Sequence, residues 1–233
     1  MISTIELPVR QITTEMLRDY LIEYQSINNC KNSTLDNVRR NLSSFFSWLE
    51  EEDYIIKNPI RRIHKIRMAS RIKKTISDEN IELLRDGCKT LRDLVMVDLL
   101  YTTGMRVGEL VNLNTEGVDF QERVCIVYGK GAKERRVYFD AETKLHLQNY
   151  LNSRVDSNSA LFVSLLKPHR RLKINGVEIR IRELGRHLGM RDVYPHKFRR
   201  TMATRAIDKG MPIEQVQKLL GHKQIDTTIR GMQ

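Results

Sequence analysis

The 233-residue sequence has few of the features that mark membrane, secreted or metal-binding proteins. No apolar run approaches the roughly 20 residues that a membrane-spanning helix needs. The three cysteines, Cys30, Cys88 and Cys125, are far apart and form no CxxC pair, so we expect neither a disulfide nor a cysteine metal site. The first residues lack the basic start and apolar stretch of a secretory signal peptide. We therefore expect a cytoplasmic protein with reduced cysteines.

Acidic residues are scarce in the last third of the chain. From residue 160 onward there are 16 Lys and Arg against 6 Asp and Glu, whereas residues 1–159 hold 24 and 23. The formal net charge of +11 is therefore concentrated in one part of the sequence. Such a one-sided basic surface favours a polyanionic partner, most often nucleic acid. Scattered surface lysines that aid solubility would give the same count.

Residues 1–60 predict a small all-α domain. Apolar residues recur at helical spacing over 12–28, after a threonine N-cap, and again from Asn32 to Glu51. Two amphipathic helices need a partner surface, so we expect them to pack on each other. Asn58-Pro59 ends this unit, because a residue before proline disfavours the helical conformation.

Residues 61–75 predict a basic linker. The segment from Arg61 to Lys74 contains seven Lys and Arg and no acid. A solvated linker explains this composition, but a segment without balancing acids also suits the phosphate backbone of DNA. The candidate phosphate contacts are Arg62, Lys65, Arg71 and Lys73, together with Arg200 further along the chain.

Residues 76–233 predict a larger, mainly helical domain with a small antiparallel sheet near its start. Ser77 is expected to cap a helix that includes 81–88, and the apolar segment 91–101 is expected to form a buried helix that ends at Gly104. Three short strands are expected at 118–120, 124–128 and 135–139. Four further helices are expected at 140–151, 175–188, 196–209 and 213–220.

Four separated segments carry candidate functional residues. In TTGMRVGEL, Arg106 and Glu109 are three residues apart, so they are expected to share a helix face on which the acid orients the guanidinium. In YGKGAKERR, Lys130 lies at the tip of a glycine-flanked hairpin. Taken alone, Arg106 and Glu109 are also typical of a surface ion pair. Lys130 taken alone is also typical of a lysine in a solvated turn.

The other two segments contribute histidines. In PHKFRRTMAT, His196 and Arg199 open a helix after Pro195, and a helix N-terminus favours a bound phosphate. In LLGHKQIDTTIRGMQ, His222 follows a helix that stops at glycine, a position that a capping or core histidine would also occupy. The four segments contain no cluster of carboxylates that could hold Mg²⁺, which argues against two-metal nucleases and polymerases. Together they suit metal-free phosphoryl transfer, in which guanidinium groups neutralise the phosphate while lysine and histidine move protons.

In order and spacing, these four segments resemble the tyrosine recombinase (phage integrase) family, in particular its Xer-like members. The stretch from DYLIEYQ to FFSWLEEEDYIIKNP resembles the family's N-terminal core-binding (SAM-like) domain, so the resemblance covers nearly the whole chain. It implies the mainly α DNA breaking-rejoining fold, with the two domains closed around duplex DNA as a C-shaped clamp. It also implies a homotetramer on paired sites that exchanges strands through a 3′-phosphotyrosine intermediate and a Holliday junction, without metal, ATP or another cofactor.

The resemblance further implies a role for each matching residue. Arg106 and Arg199 would clamp the scissile phosphate, and Glu109 would orient Arg106. Lys130 would be the general acid for the 5′-hydroxyl leaving group, and His196 would be the acid/base toward the nucleophile.

His222 would donate a hydrogen bond to a phosphate oxygen. The family places its attacking tyrosine nine residues after this histidine, where the present chain has Gly231. Glycine has no side chain and cannot attack phosphorus, so the chain as written is expected to bind DNA without cleaving it. The preceding TTIR keeps the family pattern, so a shifted alignment does not explain the glycine. Tyr128 and Tyr194 lie near other motifs, but not at the position of the nucleophile.

Three explanations of the glycine remain open. The chain is an edited or trimmed version of an active recombinase, a degenerate relative from a mobile element, or a binding-only protein that occupies recombination sites or regulates another recombinase. A type IB topoisomerase-like activity and nonspecific DNA binding are further alternatives. The chain ends at Gln233, where family members continue into a helix that docks on a neighbouring protomer, so we expect a monomer in solution. We expect a bacterial, phage or mobile-element protein associated with the nucleoid.

Overall fold

The computed structural model describes residues 7–67, 74–129 and 134–221, and these residues form nine α-helices and one three-stranded antiparallel sheet. This confirms the predicted mainly helical fold with a small antiparallel sheet. The chain divides into two units, Met1–Arg71 and Ile72–Gln233. Within the described ranges, no helix combines the length and the apolar character that crossing a membrane would require.

The first unit contains helices α1 (Thr14–Asn28) and α2 (Asn32–Glu51), which pack on each other as predicted. The hydroxyl of Thr13 accepts a hydrogen bond from the Met16 amide at 3.3 Å and so caps α1. A small core of apolar side chains closes the unit: Leu17, Phe46, Leu49, Ile55 and Ile60. A short 3₁₀ helix, Pro59–Arg62, follows, and its first turn is capped by the side chain of Asn58.

The second unit is built around α4 (Leu91–Thr103). Every residue from Val95 to Leu100 is fully buried, and all of them are apolar except Asp98. Helix α4 contacts most of the other helices of the unit because its sequence is apolar on nearly every face. The other helices of the second unit are α3 (Asp78–Asp86), α5 (Val107–Asn112), α6 (Ala141–Ser153), α7 (Ile174–His187), α8 (Pro195–Asp208) and α9 (Ile213–Leu220).

Asp98 ties neighbouring helices to α4. Its carboxylate accepts a hydrogen bond from Arg85 Nε of α3 at 2.8 Å and lies 2.7 Å from His146 Nδ1 of α6. Burial raises the pKa of Asp98, although both partners act to lower it. This buried carboxylate therefore fixes where α3 and α6 lie on the central helix.

The sheet consists of β1 (Val118–Asp119), β2 (Val124–Tyr128) and β3 (Glu134–Tyr138), in that order. Strands β2 and β3 pair with Cys125 opposite Val137 and Tyr128 opposite Glu134. Because side chains alternate along a strand, Arg135 and Val137 share the inner face of β3 and Arg136 points to the other side.

The three cysteines are free thiols. Burial raises the pKa of the Cys88 thiol to about 12, and burial likewise raises that of Cys125 to about 12. Both therefore stay protonated at neutral pH and behave as small packing residues.

Candidate active site

Arg106 is positioned by the sharp turn between α4 and α5. Helix α4 ends at Gly104, which has a left-handed φ of 58°, and Arg106 is the N-cap residue of α5. The Glu109 carboxylate reaches back to this N-cap: Oε2 accepts the Arg106 backbone N–H at 2.7 Å, and Oε1 accepts Nη1 of Arg106 at 2.9 Å. The pair therefore meets through the geometry of a capping box, with Arg106 before the helix, and not across a shared helix face.

Glu109 balances two cations. Its side chain is only 4% exposed, and Oε2 also accepts a hydrogen bond from Nη2 of Arg135 at 2.5 Å. Burial acts to raise the pKa of Glu109, but the Arg106 amide and the guanidinium groups of Arg135 and Arg106 outweigh it and lower the pKa. Glu109 is thus an ionised carboxylate at neutral pH. It holds the side chain of Arg106, which is 44% exposed.

Arg199 lies on α8 and is almost fully buried, with 3% exposure. Its Nη1 donates to the Gly104 carbonyl at 2.7 Å, and its Nη2 donates to the Leu220 carbonyl at 2.5 Å. Burial, together with the positive charges of Arg106 and Arg135, lowers the pKa of Arg199 to about 9. Arg199 remains a cation at neutral pH in a setting where an anion would stabilise it.

One cavity of about 490 Å³ brings three of the predicted residues together, because Arg106, His196 and Arg199 all line it. The N-terminus of α8 forms part of its wall through Pro195 and the exposed His196. Backbone N–H groups at a helix N-terminus carry partial positive charge and favour an anion. The remaining lining residues are Met105, Val107, Glu178, Arg182 and Tyr194.

This cavity suits a phosphodiester. Three arginines (Arg106, Arg182 and Arg199), a histidine, one glutamate and a helix N-terminus surround one space in the second unit. Planar guanidinium groups can each offer two parallel N–H donors to phosphate oxygens. The arrangement can therefore hold a phosphate and stabilise added negative charge on it.

The other predicted catalytic positions, Lys130, His222 and Gly231, lie outside the described residues, as do Arg71 and Lys73. Their roles stay predictions. The described neighbours are Tyr128, at the end of β2, and Gly221, which ends α9 with a left-handed φ of 63°.

The remaining candidate DNA contacts differ in exposure. Arg62 and Lys65 are exposed on the first unit. Arg200 is only 7% exposed, so little of its side chain is available to a DNA backbone. Contact of these three residues with DNA stays a prediction.

Sequence reasoning did not single out Arg135, Glu178 or Arg182. The signal for Arg135 was present in YGKGAKERR, because strand alternation places one of its two adjacent arginines on the inner face of β3. The signal for Glu178 and Arg182 was weaker, since an acid and a base four residues apart on a helix are typical of any exposed helix face.

The sequence matches the Phage integrase family over residues 74–231. It is also 32% identical, over 219 residues, to the tyrosine recombinase XerC of Staphylococcus aureus (strain bovine RF122 / ET3-1), and the match covers 91% of this chain and 73% of that protein.

Two solved structures share the fold. The crystal structure of XerA recombinase is 26% identical, with a TM-score of 0.64, and the match covers 98% of this chain and 80% of that one. The Tn1549 transposon integrase in complex with a circular intermediate DNA has a TM-score of 0.80 over 97% of this chain and 82% of that one. Its identity of 18% shows a shared fold alone.

Proposed function

This chain belongs to the phage integrase family, and from that membership we propose that it is a site-specific tyrosine recombinase that holds a DNA phosphodiester in the cavity between Arg106 and Arg199. The observation that carries the proposal is the cavity itself, which joins Arg106, His196 and Arg199 at the N-terminus of α8. The Tn1549 integrase structure contains a circular intermediate DNA, and the similarity of fold supports DNA as the partner here.

In the proposed chemistry, the two arginines bind the non-bridging oxygens of the scissile phosphate. Their charge stabilises the pentacoordinate transition state, in which negative charge on those oxygens increases. In a chain with tyrosine at position 231, the tyrosine oxygen attacks phosphorus, and His196 accepts its proton. The bond from phosphorus to the 5′ oxygen breaks, and Lys130 donates a proton to that oxygen. The product is a 3′-phosphotyrosine, whose bond energy allows rejoining without ATP.

Gly231 divides the proposal into two parts. Because glycine stands at the predicted nucleophile position, we propose that the chain as written binds its DNA site without cutting it. Duplex binding draws on the whole basic surface, of which the cavity is one part, whereas cleavage also needs the missing phenol. The active assembly is proposed to be a homotetramer on paired DNA sites.

The second candidate function is that of a catalytically inactive relative that occupies recombination sites or regulates another recombinase. Gly231 is the observation that favours it. The two candidates differ in whether the rest of the site can still perform strand cleavage.

A covalent-adduct assay separates the two candidates. The chain as written and its Gly231→Tyr variant are each incubated with nicked duplexes from the DNA that flanks the gene, and adducts are resolved on a denaturing gel. Adduct from the Gly231→Tyr variant alone supports a recombinase site disabled at one position. Site-specific binding by both proteins without any adduct favours the binding-only function. Equal affinity for every duplex contradicts both, because nonspecific binding shows no site preference.

A further inference from the structure

Arg135 contacts two segments that the predicted site residues occupy. From β3, its Nη2 donates to the Glu109 carboxylate of α5 at 2.5 Å. Its Nη1 donates to the Leu219 carbonyl, at the end of α9, at 2.8 Å. The side chain is 13% exposed, so these two bonds form largely away from solvent.

The bond to Glu109 places Arg135 one step from the cavity. The same carboxylate oxygen that accepts Nη2 of Arg135 also accepts the Arg106 backbone N–H, while the other oxygen accepts the Arg106 side chain. Without Arg135 the carboxylate would lose one of its two cationic partners and could rotate. Arg106 would then lose a fixed orientation toward the cavity.

The bond to Leu219 matters because the last carbonyls of a helix have no partner within the helix. At the end of α9, the Leu219 carbonyl accepts from Arg135 and the Leu220 carbonyl accepts from Arg199. The Arg135 side chain also packs against Gly221, where an added Cβ would lie 3.0 Å from Nε. Two arginines from different elements therefore fix the point from which the chain continues to His222.

We propose that Arg135 is a positioning residue of this site, which sets the orientation of Arg106 through Glu109 and the exit of the chain from α9 through Leu219. The effect of Arg135 on catalysis rests on the proposed function, whereas its hydrogen bonds to Glu109 and Leu219 do not depend on that function. Arg135 is not one of the residues that line the cavity, so it acts through other residues.

A guanidinium is the group that this arrangement requires. One planar side chain must donate in two directions, to a carboxylate and to a backbone carbonyl, and lysine presents only a point charge. Nε of Arg135 is buried and has no hydrogen-bond partner among the described residues. A buried donor without a partner is unfavourable, so packing alone does not explain an arginine at this position.

The test compares Arg135→Gln and Arg135→Lys with Arg136→Gln as the matched control. Arg136 is the next residue of β3 and is exposed on the other face of the strand, so Arg136→Gln removes the same charge as Arg135→Gln. All three changes are made in the chain as written and in the Gly231→Tyr background. The measurements are duplex affinity by fluorescence anisotropy, single-turnover cleavage of a nicked duplex, and amide hydrogen exchange.

Amide exchange tests the positioning without any need for cleavage. The Arg106 amide is bonded to Glu109 and the Gly221 amide to the Lys218 carbonyl, so each reports one of the two contacts of Arg135. In Arg135→Gln we expect both amides to exchange roughly five- to tenfold faster, as for the loss of one hydrogen bond. Amides of the α4 core, such as those of Leu99 and Leu100, should be unchanged, which shows that the fold is intact.

Cleavage tests the consequence. In the Gly231→Tyr background we expect the cleavage rate of Arg135→Gln to fall roughly 100-fold, the size typical of a misplaced catalytic group. Its duplex affinity should equal that of Arg136→Gln, and Arg135→Lys should restore only part of the rate. Unchanged exchange at Arg106 and Gly221, or equal rates for Arg135→Gln and Arg136→Gln, would overturn the proposal. Absence of cleavage in the Gly231→Tyr parent would count against the proposed function alone, because the exchange measurement still decides the role of Arg135.

Discussion

Glu109 binds Arg106 twice, through the backbone N–H at 2.7 Å and through Nη1 at 2.9 Å. These two bonds combine the cap of a helix with the orientation of a cation, so the local fold of α5 and the geometry of the cavity depend on the same carboxylate. A change at Arg106 removes the cation and leaves the backbone bond in place. A change at Glu109 affects both.

The first prediction concerns Arg106→Ala. Because the backbone bond to Glu109 does not involve the side chain, the fold should persist, and duplex affinity should be largely unchanged since many basic residues contribute to it. In the Gly231→Tyr background, cleavage should be abolished, because the charge that develops on the phosphate loses one of its two arginines. Anisotropy and the adduct gel measure the two quantities on the same duplex. Retained cleavage would remove Arg106 from the site.

The second prediction concerns acid stability and Glu109. The native environment lowers the pKa of Glu109, so its contribution to the free energy of unfolding is complete above about pH 4.5, the usual value for this group. That contribution should be lost as the pH falls through the native pKa, because the unfolded chain then binds the proton more tightly. At pH 7, Glu109→Gln should lower the free energy of unfolding by roughly 1.5–3 kcal/mol, the size of charged hydrogen bonds.

Urea denaturation at a series of pH values measures this effect. The variant should lose less stability than the parent on going from pH 6 to pH 3. Asp36→Asn is the matched control, because the pKa of Asp36 is also lowered, by its bond to Arg39 in the other unit. Parallel pH curves for the parent and Glu109→Gln would show that Glu109 is not held as an ion pair.

The third prediction concerns Gly104→Ala. Gly104 has a left-handed φ of 58°, and an added Cβ would lie 2.2 Å from Cε of Met202. The left-handed conformation alone costs about 1–2 kcal/mol for a residue with a side chain. The Met202 contact adds to this cost and displaces the carbonyl that Arg199 donates to. Gly189→Ala is the control, because φ there is 68° and nothing lies within 4 Å of the added atom.

Thermal unfolding of the two alanine variants separates strain from contact. We expect Gly104→Ala to unfold at a lower temperature than Gly189→Ala, and the difference between them reports the contact with Met202. The same midpoint for both would show that Met202 moves aside without a cost, and that the turn after α4 tolerates a side chain.

Helix and strand positions could be predicted from the sequence because caps and periodicity act locally. Ser77 caps α3 as expected, Thr13 (one of the two candidate threonines) caps α1, and Gly104 ends α4 with the left-handed conformation that glycine permits. Strand β2 was predicted with the same bounds, Val124–Tyr128, that it has in the structure. In each case the signal lies within a few residues of the feature.

The parts of the site that escaped prediction depend on contacts between distant segments. Arg135 meets Leu219 across 84 residues of sequence, and strand alternation alone does not give the partners of its side chain. Arg200 was predicted as a phosphate contact, yet the packing of α8 leaves only 7% of it exposed. Burial of a cation depends on which helix face the tertiary fold covers, and spacing alone does not give that.

The last prediction follows from the pKa of Arg199, which burial and the neighbouring guanidinium groups lower to about 9. A bound phosphate raises this pKa again, because its negative charge stabilises the cation. Below pH 9 Arg199 is mainly a cation, so phosphate binding is strongest there. Binding weakens as the pH rises through 9, because Arg199 then loses its charge. If binding requires the cation, the affinity should be about fourfold lower at pH 9.5 than at pH 7.5.

The measurement is the affinity for a short site duplex at constant ionic strength between pH 7.5 and pH 9.5, a range that ends below the ordinary pKa of lysine. Arg199→Gln is the matched control, because it lacks the titrating group and should bind with the same reduced affinity at every pH in this range. A loss between pH 7.5 and pH 9.5 in the parent, and a flat profile in Arg199→Gln, would assign the titration to the cavity. If the two profiles fall together, the pH dependence belongs to the general basic surface, and Arg199 would then serve to hold Gly104 and Leu220 and not to bind the phosphate.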